Sequence, residues 1–162
     1  MVEWYEHPRN DVPPALVQVF GLDLGHAQVP EMQRHTGLRR PPLFVPCVGN
    51  FRRGTLVTIP VHRDWLRTTV TPATVREMLR ARYAGERIVS VRSRGGLAGS
   101  VALSEPMSCG VELYVEGSDE HLLLVVVLDN LGKGSAVAAV QNMNLILGCD
   151  ELAGLNLDPV QS

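Results

Sequence analysis

Residues Asp129 to Gly148 read DNLGKGSAVAAVQNMNLILG, and the reading of this stretch decides the fold. It follows the most apolar run in the chain, Leu122 to Leu128, whose β-branched content is that of a buried strand. Asp129-Asn130-Leu131-Gly132-Lys133-Gly134 then breaks the strand with turn residues. From Ser135 the period changes. Val137, Val140, Gln141, Asn144, Leu145 and Gly148 fall along one helical face, and Gly148 is placed to stop the helix. The unit is therefore buried strand, glycine loop, helix. Such a loop directs backbone N–H groups and one lysine past the strand end. The residues alone fit either a ligand site or a tight strand-to-helix turn.

Working back from that unit, Cys109 to Glu116 alternates. Val111, Leu113 and Val115 oppose Glu112, Tyr114 and Glu116, the pattern of a half-exposed strand. Gly117-Ser118-Asp119-Glu120 is a hairpin turn into the apolar strand. Ile88 to Val91 predicts another strand, and Arg94 to Glu105 a loose loop. Thr71-Pro72-Ala73 opens a helix: Thr71 caps it, Pro72 takes the first position, and Val75, Met78, Leu79 and Tyr83 share a face before Gly85. Thr55 to Arg63 predicts a strand that Pro60 confines to an edge or a bulge. Further upstream, Leu43 to Val48 predicts a short buried strand, and Gly49 to Gly54 a loop. Pro30 and Glu31 open a short helix stopped by Gly37, and Ala15 to Leu24 predicts a first strand. Residues 1–14 read as an irregular leader on which Trp4 and Tyr5 dock. Residues 150–162 read as a tail, with the body of the domain running over 15–155. Hairpin-length connections and few helices predict an α+β domain, with a mixed, largely antiparallel sheet and helices mainly on one face. An exposed sheet face needs cover, which predicts a homodimer.

A chain of 162 residues is long enough for one domain with a real core. Hydrophobic content of 45%, charged content of 20% and a net charge of −2 describe a soluble globule with no bias toward nucleic acid or a membrane surface. No apolar run reaches the roughly 18 residues of a membrane span, and MVEWYEHPRN lacks the form of a signal peptide, so a cytoplasmic location is expected. The three cysteines are widely spaced and predict neither a disulfide framework nor a metal site. Of 15 basic residues, Lys133 is the only lysine. Base-composition bias explains that generally; a need for a flexible ammonium at position 133 explains it specifically.

DNLGKGSAVAAVQNMNLILG resembles the C-terminal signature of the N-acetyl-γ-glutamyl-phosphate reductases of arginine biosynthesis. Three further stretches agree in order. Gly25-His26-Ala27-Gln28-Val29-Pro30-Glu31-Met32 resembles the family's His-x-His-x-Pro-Glu-Ile segment. Phe44-Val45-Pro46-Cys47-Val48-Gly49-Asn50-Phe51-Arg52-Arg53-Gly54 resembles its Phe-Thr-Pro-His-Leu-Gly-Asn-Phe-x-Arg-Gly segment. Met107-Ser108-Cys109-Gly110-Val111 is a looser match. The resemblance implies the C-terminal domain type of glyceraldehyde-3-phosphate dehydrogenase-like enzymes. The family's dinucleotide-binding domain and its catalytic Gly-Cys-Tyr/Phe-x-Thr motif have no counterpart here: no G-x-G-x-x-G follows an early strand. The chain is thus expected to be a substrate and dimerisation half, with no cofactor of its own. NADP would enter only through a separate Rossmann chain.

The family reaction reduces an acyl phosphate through a cysteine thioester, with a histidine as acid or base. His26 matches the first histidine of the family segment, and Gln28 replaces the second; a carboxamide can bind substrate but moves no proton at neutral pH. Cys47 stands where the family has histidine, so a Cys47–His26 pair is one possible catalytic device, against a small buried hydrophobe. Cys109 and Cys149 are expected to pack. Asn50, Arg52 and Arg53 are expected on the substrate, since a bidentate arginine suits a carboxylate or phosphate of an acylamino-acid ligand. Arg39 and Arg40 extend this toward a patch for an acidic carrier protein, or are a solvated face. Asn130, Gly132, Lys133 and Gly134 would form the secondary part of a cofactor site. Two other functions remain: a nicotinamide-independent enzyme using Cys47 and His26 on an acylated or carrier-linked amino acid, and a non-catalytic assembly module.

Overall fold

The computed structural model describes residues 17–51, 53–66, 68–93 and 109–155. The chain divides into two compact units, Met1–Arg52 and Arg53–Ser162. The leader, the 94–105 loop and the last seven residues lie outside the described residues.

In the first unit, β1 (Val17–Val19) pairs antiparallel with β2 (Cys47–Gly49), Val19 opposite Cys47. Between them lies α1 (Val29–Thr36), with Pro30 in its first turn. Gly37 ends it in the left-handed region at φ 69°, its N–H donating to the Gln33 carbonyl. The strands are shorter than the apolar pattern predicts. Leu43, expected in a buried strand, is 84% exposed and lies in irregular chain. Pro41, Pro42 and Pro46 bracket residues 43–45, and each proline removes a ladder donor.

In the second unit a four-stranded sheet runs in the order β3-β6-β5-β4. Its strands are β3 (Thr55–His62), β4 (Val89–Val91), β5 (Val111–Gly117) and β6 (His121–Leu128). β6 is antiparallel to both β3 and β5, and β4 is parallel to β5. This is the α+β, largely antiparallel arrangement that the strand and turn pattern predicts. Pro60 is tolerated because β3 is an edge strand; the register with β6 continues through Pro60 opposite Leu123 without a bulge.

The register sorts side chains by face, because directly paired residues project the same way. One face carries Val111, Leu113 and Val115 from β5, Leu122, Leu124, Val126 and Leu128 from β6, and Val57, Ile59 and Val61 from β3. The other carries Glu112, Tyr114 and Glu116 beside Val125, Val127 and Leu56. β6 is therefore not uniformly buried: Leu122, Val125 and Val127 are buried, while Leu123 remains exposed. Val115 is wholly buried, and each such side chain contributes about 1.5–3 kcal/mol by leaving water.

The helix α2 (Pro72–Tyr83) packs against β4 and β5. Thr71 Oγ1 accepts the Thr74 N–H at its start, as the Thr-Pro pair predicts. Arg76 donates to the Val115 carbonyl at 2.6 Å and faces Glu116 at 3.5 Å. Met78, expected on the packing face, is exposed; the inward side instead runs through Val75, Arg76, Leu79, Arg80 and Tyr83. The arginine stems do part of the packing that apolar periodicity assigns to Met78.

The helix α3 (Val137–Ile146) begins two residues later than the pattern predicts, because residues Gly132–Ala136 form a wider π-turn. Gly148 stops it at φ 69°, and the Cys149 N–H closes back on the Asn144 carbonyl at 2.9 Å. Residues 150–155 are not a loose tail. Asn144 is buried and donates to the carbonyls of Glu151 and Ala153, both at 3.0 Å, and Leu152 is buried. Arg87 grips Asp150 through both carboxylate oxygens, at 3.0 and 2.8 Å.

Candidate functional site

The loop at the end of β6 is built around Asp129, which is 4% exposed. Its Oδ1 accepts the Leu131 N–H at 2.9 Å, its carbonyl accepts the Gly134 N–H at 2.9 Å, and Oδ2 lies 3.5 Å from the Arg53 guanidinium. A carboxylate this buried needs such partners. Gly132 runs close against it: a Cβ there would come 3.1 Å from Asp129 Oδ2. The Gly134, Ala136 and Val137 N–H groups each reach five residues back, to Asp129, Leu131 and Gly132. Turns of this wide type recur at functional positions inside helices.

Two predicted residues of this loop, and Arg53 before β3, are held by contacts within the chain. Asn130 Oδ1 accepts the Gly54 N–H at 2.7 Å, tying the loop to the residue before β3. Lys133 Nζ donates to Gln141 Oε1 at 2.5 Å, and Gln141 Nε2 donates on to Glu151 Oε1. Arg53 is held by Asp129. Among the described residues, one of the three Lys133 donors is used and the Asn130 carboxamide nitrogen has no partner. Both groups can donate to a carbonyl or an oxyanion.

The first unit carries the other predicted residues. His26 is half-buried with its ring edge-on to Phe44, centroids 5.0 Å apart, and tilted against Phe20 at 6.1 Å. His26 Nδ1 accepts the Gln28 backbone N–H at 3.3 Å, so Nε2 is the position left to carry the proton. The Gln28 side chain is exposed, as are Asn50 and the Cys47 thiol. Among the described residues no hydrogen bond joins Cys47 to His26. Arg52 lies outside the described residues. Arg39 and Arg40 are exposed. Cys149, expected to pack, is exposed, whereas Cys109 is half-buried.

Sequence reasoning passed over Asp129, Gln141 and Glu151 as active parts of this arrangement. Asp129 read as a turn residue, and its burial depends on Arg53, which is remote in sequence. Gln141 had a signal: it lies on the same helical face as Val137 and Asn144, where a polar residue calls for a buried partner.

The model of the semialdehyde dehydrogenase dimerisation domain matches residues 13–130. The chain belongs to this family. Among its curated relatives, N-acetyl-gamma-glutamyl-phosphate reductase of Brucella anthropi is 43% identical over 135 residues, covering 80% of this chain and 43% of the relative. The protein of the same name from Trichormus variabilis is 37% identical over 145 residues, covering 85% of this chain and 45% of the relative. That of Burkholderia cenocepacia is 36% identical over 157 residues, covering 94% and 50%. This dimerisation domain thus spans about half the length of the curated relatives it matches. Among the described residues no helix is long and apolar enough to cross a membrane.

Proposed function

We propose that this dimerisation domain is the substrate-binding half of a reductase acting on an acylamino-acid phosphate, and that a separate Rossmann-type chain supplies NADP and the thiol. The observation that carries the reading is the uncovered apolar side of α3. Met143, Leu145, Ile146 and Leu147 are all exposed, Ile146 to 84%. A helix that is apolar beyond its buried face belongs against another surface. In the first unit Asn50 and Arg52 would hold the substrate's charged groups, with Gln28 as a hydrogen-bonding partner and His26 as the proton carrier through Nε2; in the second unit Arg53 would offer a carboxylate or phosphate the donors that Asp129 leaves over. Asn130, Gly132, Lys133 and Gly134 would touch the cofactor held by the partner, which supplies the hydride when bound. A second copy of the chain would cover the apolar sheet face, where Val57 and Ile59 are exposed.

Co-purification with Rossmann-type chains from the same genome tests this. A tight complex with NADPH-dependent reduction of an acyl phosphate is expected, and neither chain should act alone. NADPH binding by the isolated domain, or reduction without a partner, would overturn it.

A second reading is favoured by the exposure of Cys47, which is not the small buried hydrophobe of the alternative. In it, Cys47 and His26 act without nicotinamide on an acylated or carrier-linked amino acid. Alkylation rates separate the two readings.

A further inference from the structure

At the far end of the sheet from the glycine loop, β3 and β6 bring two histidines together. His62 pairs directly with His121, so both rings project from the same face. The next pair outward is the hydrogen-bonded one: the Arg63 N–H donates to the Glu120 carbonyl at 3.0 Å. Pair types alternate along an antiparallel ladder, so His62 and His121 occupy a non-hydrogen-bonded pair, where Cα atoms approach most closely. Their ring centroids are 4.7 Å apart at 60°. Both residues are exposed, and neither imidazole has a hydrogen-bond partner among the described residues. The His62 ring also lies 4.7 Å from the Trp65 ring, tilted by 52°.

We infer that His62 and His121 form a two-imidazole chelate for a late first-row divalent cation of the Ni²⁺, Cu²⁺ or Zn²⁺ class. Imidazole nitrogen is the ligand these ions prefer among the side chains present. Two nitrogens bound at about 2.0–2.1 Å in neighbouring coordination positions stand roughly 3 Å apart. Rings with centroids at 4.7 Å reach that spacing by turning about their own side-chain bonds, without movement of the strands. Water fills the remaining positions, since no group of three or more ligating residues gathers among the described residues. The bound ion would clamp β3 to β6 at the open end of the sheet. Trp65 lies tilted against one ligand, 4.7 Å between ring centroids, and therefore reports on occupancy.

The test is titration of tag-free full chain with Ni²⁺, followed by calorimetry and by Trp65 fluorescence. One ion per chain should bind, quench the fluorescence and raise the thermal midpoint. His62→Gln and His121→Gln should each weaken binding on the order of a hundredfold, because the second nitrogen acts at high effective concentration. The double variant should lose little more than either single one. Trp65→Phe should keep the binding and lose the quench. His35→Gln, remote in sequence and exposed, should change nothing. Unaltered affinity in either His62→Gln or His121→Gln would overturn the chelate, as would a double variant that sums two independent losses. A wild-type chain that takes up no ion would overturn it equally.

Discussion

Arg53 stands 3.5 Å from the buried carboxylate of Asp129, joining the residue two positions before β3 to the residue that follows β6. The pair fixes the base of the glycine loop, and it does so with one charge half-exposed and the other nearly sealed from water. Arg53→Met should therefore leave a buried anion unneutralised and cost about 1–3 kcal/mol, discounted for the solvent that still reaches position 53. Urea unfolding at neutral pH measures it. Asp129→Asn, which keeps the contact to the Leu131 N–H, should cost less than Asp129→Ala.

The β5–β6 hairpin rests on Gly117, which sits at φ 147° with the His121 carbonyl oxygen 2.1 Å from where a Cβ would be. Backbone, not a flexible side chain, occupies the space. Gly117→Ala should cost at least about 2 kcal/mol. A shift in the urea midpoint at constant slope is expected; an unshifted midpoint would mean that the turn relaxes freely.

Tyr114 has its hydroxyl pushed up to about 12, first by burial and then by its 2.7 Å hydrogen bond to the Glu112 carboxylate. The unfolded chain loses this proton near its ordinary value of 10.0, while the folded chain keeps it. Between those two values the folded state binds more protons, so stability falls as pH rises from about 10 toward about 12. Below 10 this contribution is fully present. Tyr114→Phe should flatten the alkaline decline and remove an ionisation near pH 12 from the absorbance titration.

Cys47 and Cys149 are both exposed, so solvent access does not separate their labelling rates. Under the substrate-domain reading iodoacetamide labels both at comparable rates at neutral pH, with half-buried Cys109 slower. Mass spectrometry after short exposure measures this. Cys47 outrunning Cys149 by about tenfold would indicate a stabilised thiolate and favour the second reading.

Ile146 touches solvent over most of its surface. Ile146→Asp should alter stability by no more than about 0.5 kcal/mol. It should abolish the proposed complex with a cofactor chain. Retained complex formation would place the partner elsewhere.

The helix ends were legible in the chain because they are local. Thr71 and Pro72, Gly37 and Gly148 act through their own φ angles and nearby N–H groups, whatever surrounds them. The alternation of Val111 to Glu116 likewise named β5, and the motif residues from His26 to Gly134 named the family. Local signals failed where burial decides. Leu43 and Val45 look like core in one dimension and lie exposed in proline-bracketed chain; Met78 has core chemistry and faces water.

What the amino-acid order determined by itself was the succession of strands, caps and stops, the mixed α+β class and the family. What only the folded chain decided was which distant groups meet: Arg53 with Asp129, Lys133 with Gln141 and Glu151, His62 with His121. The physical reason is register. Propensities and caps act over a few residues, but the pairing of β3 with β6 crosses almost sixty residues of chain, between His62 and His121, and is set by burial on two faces at once.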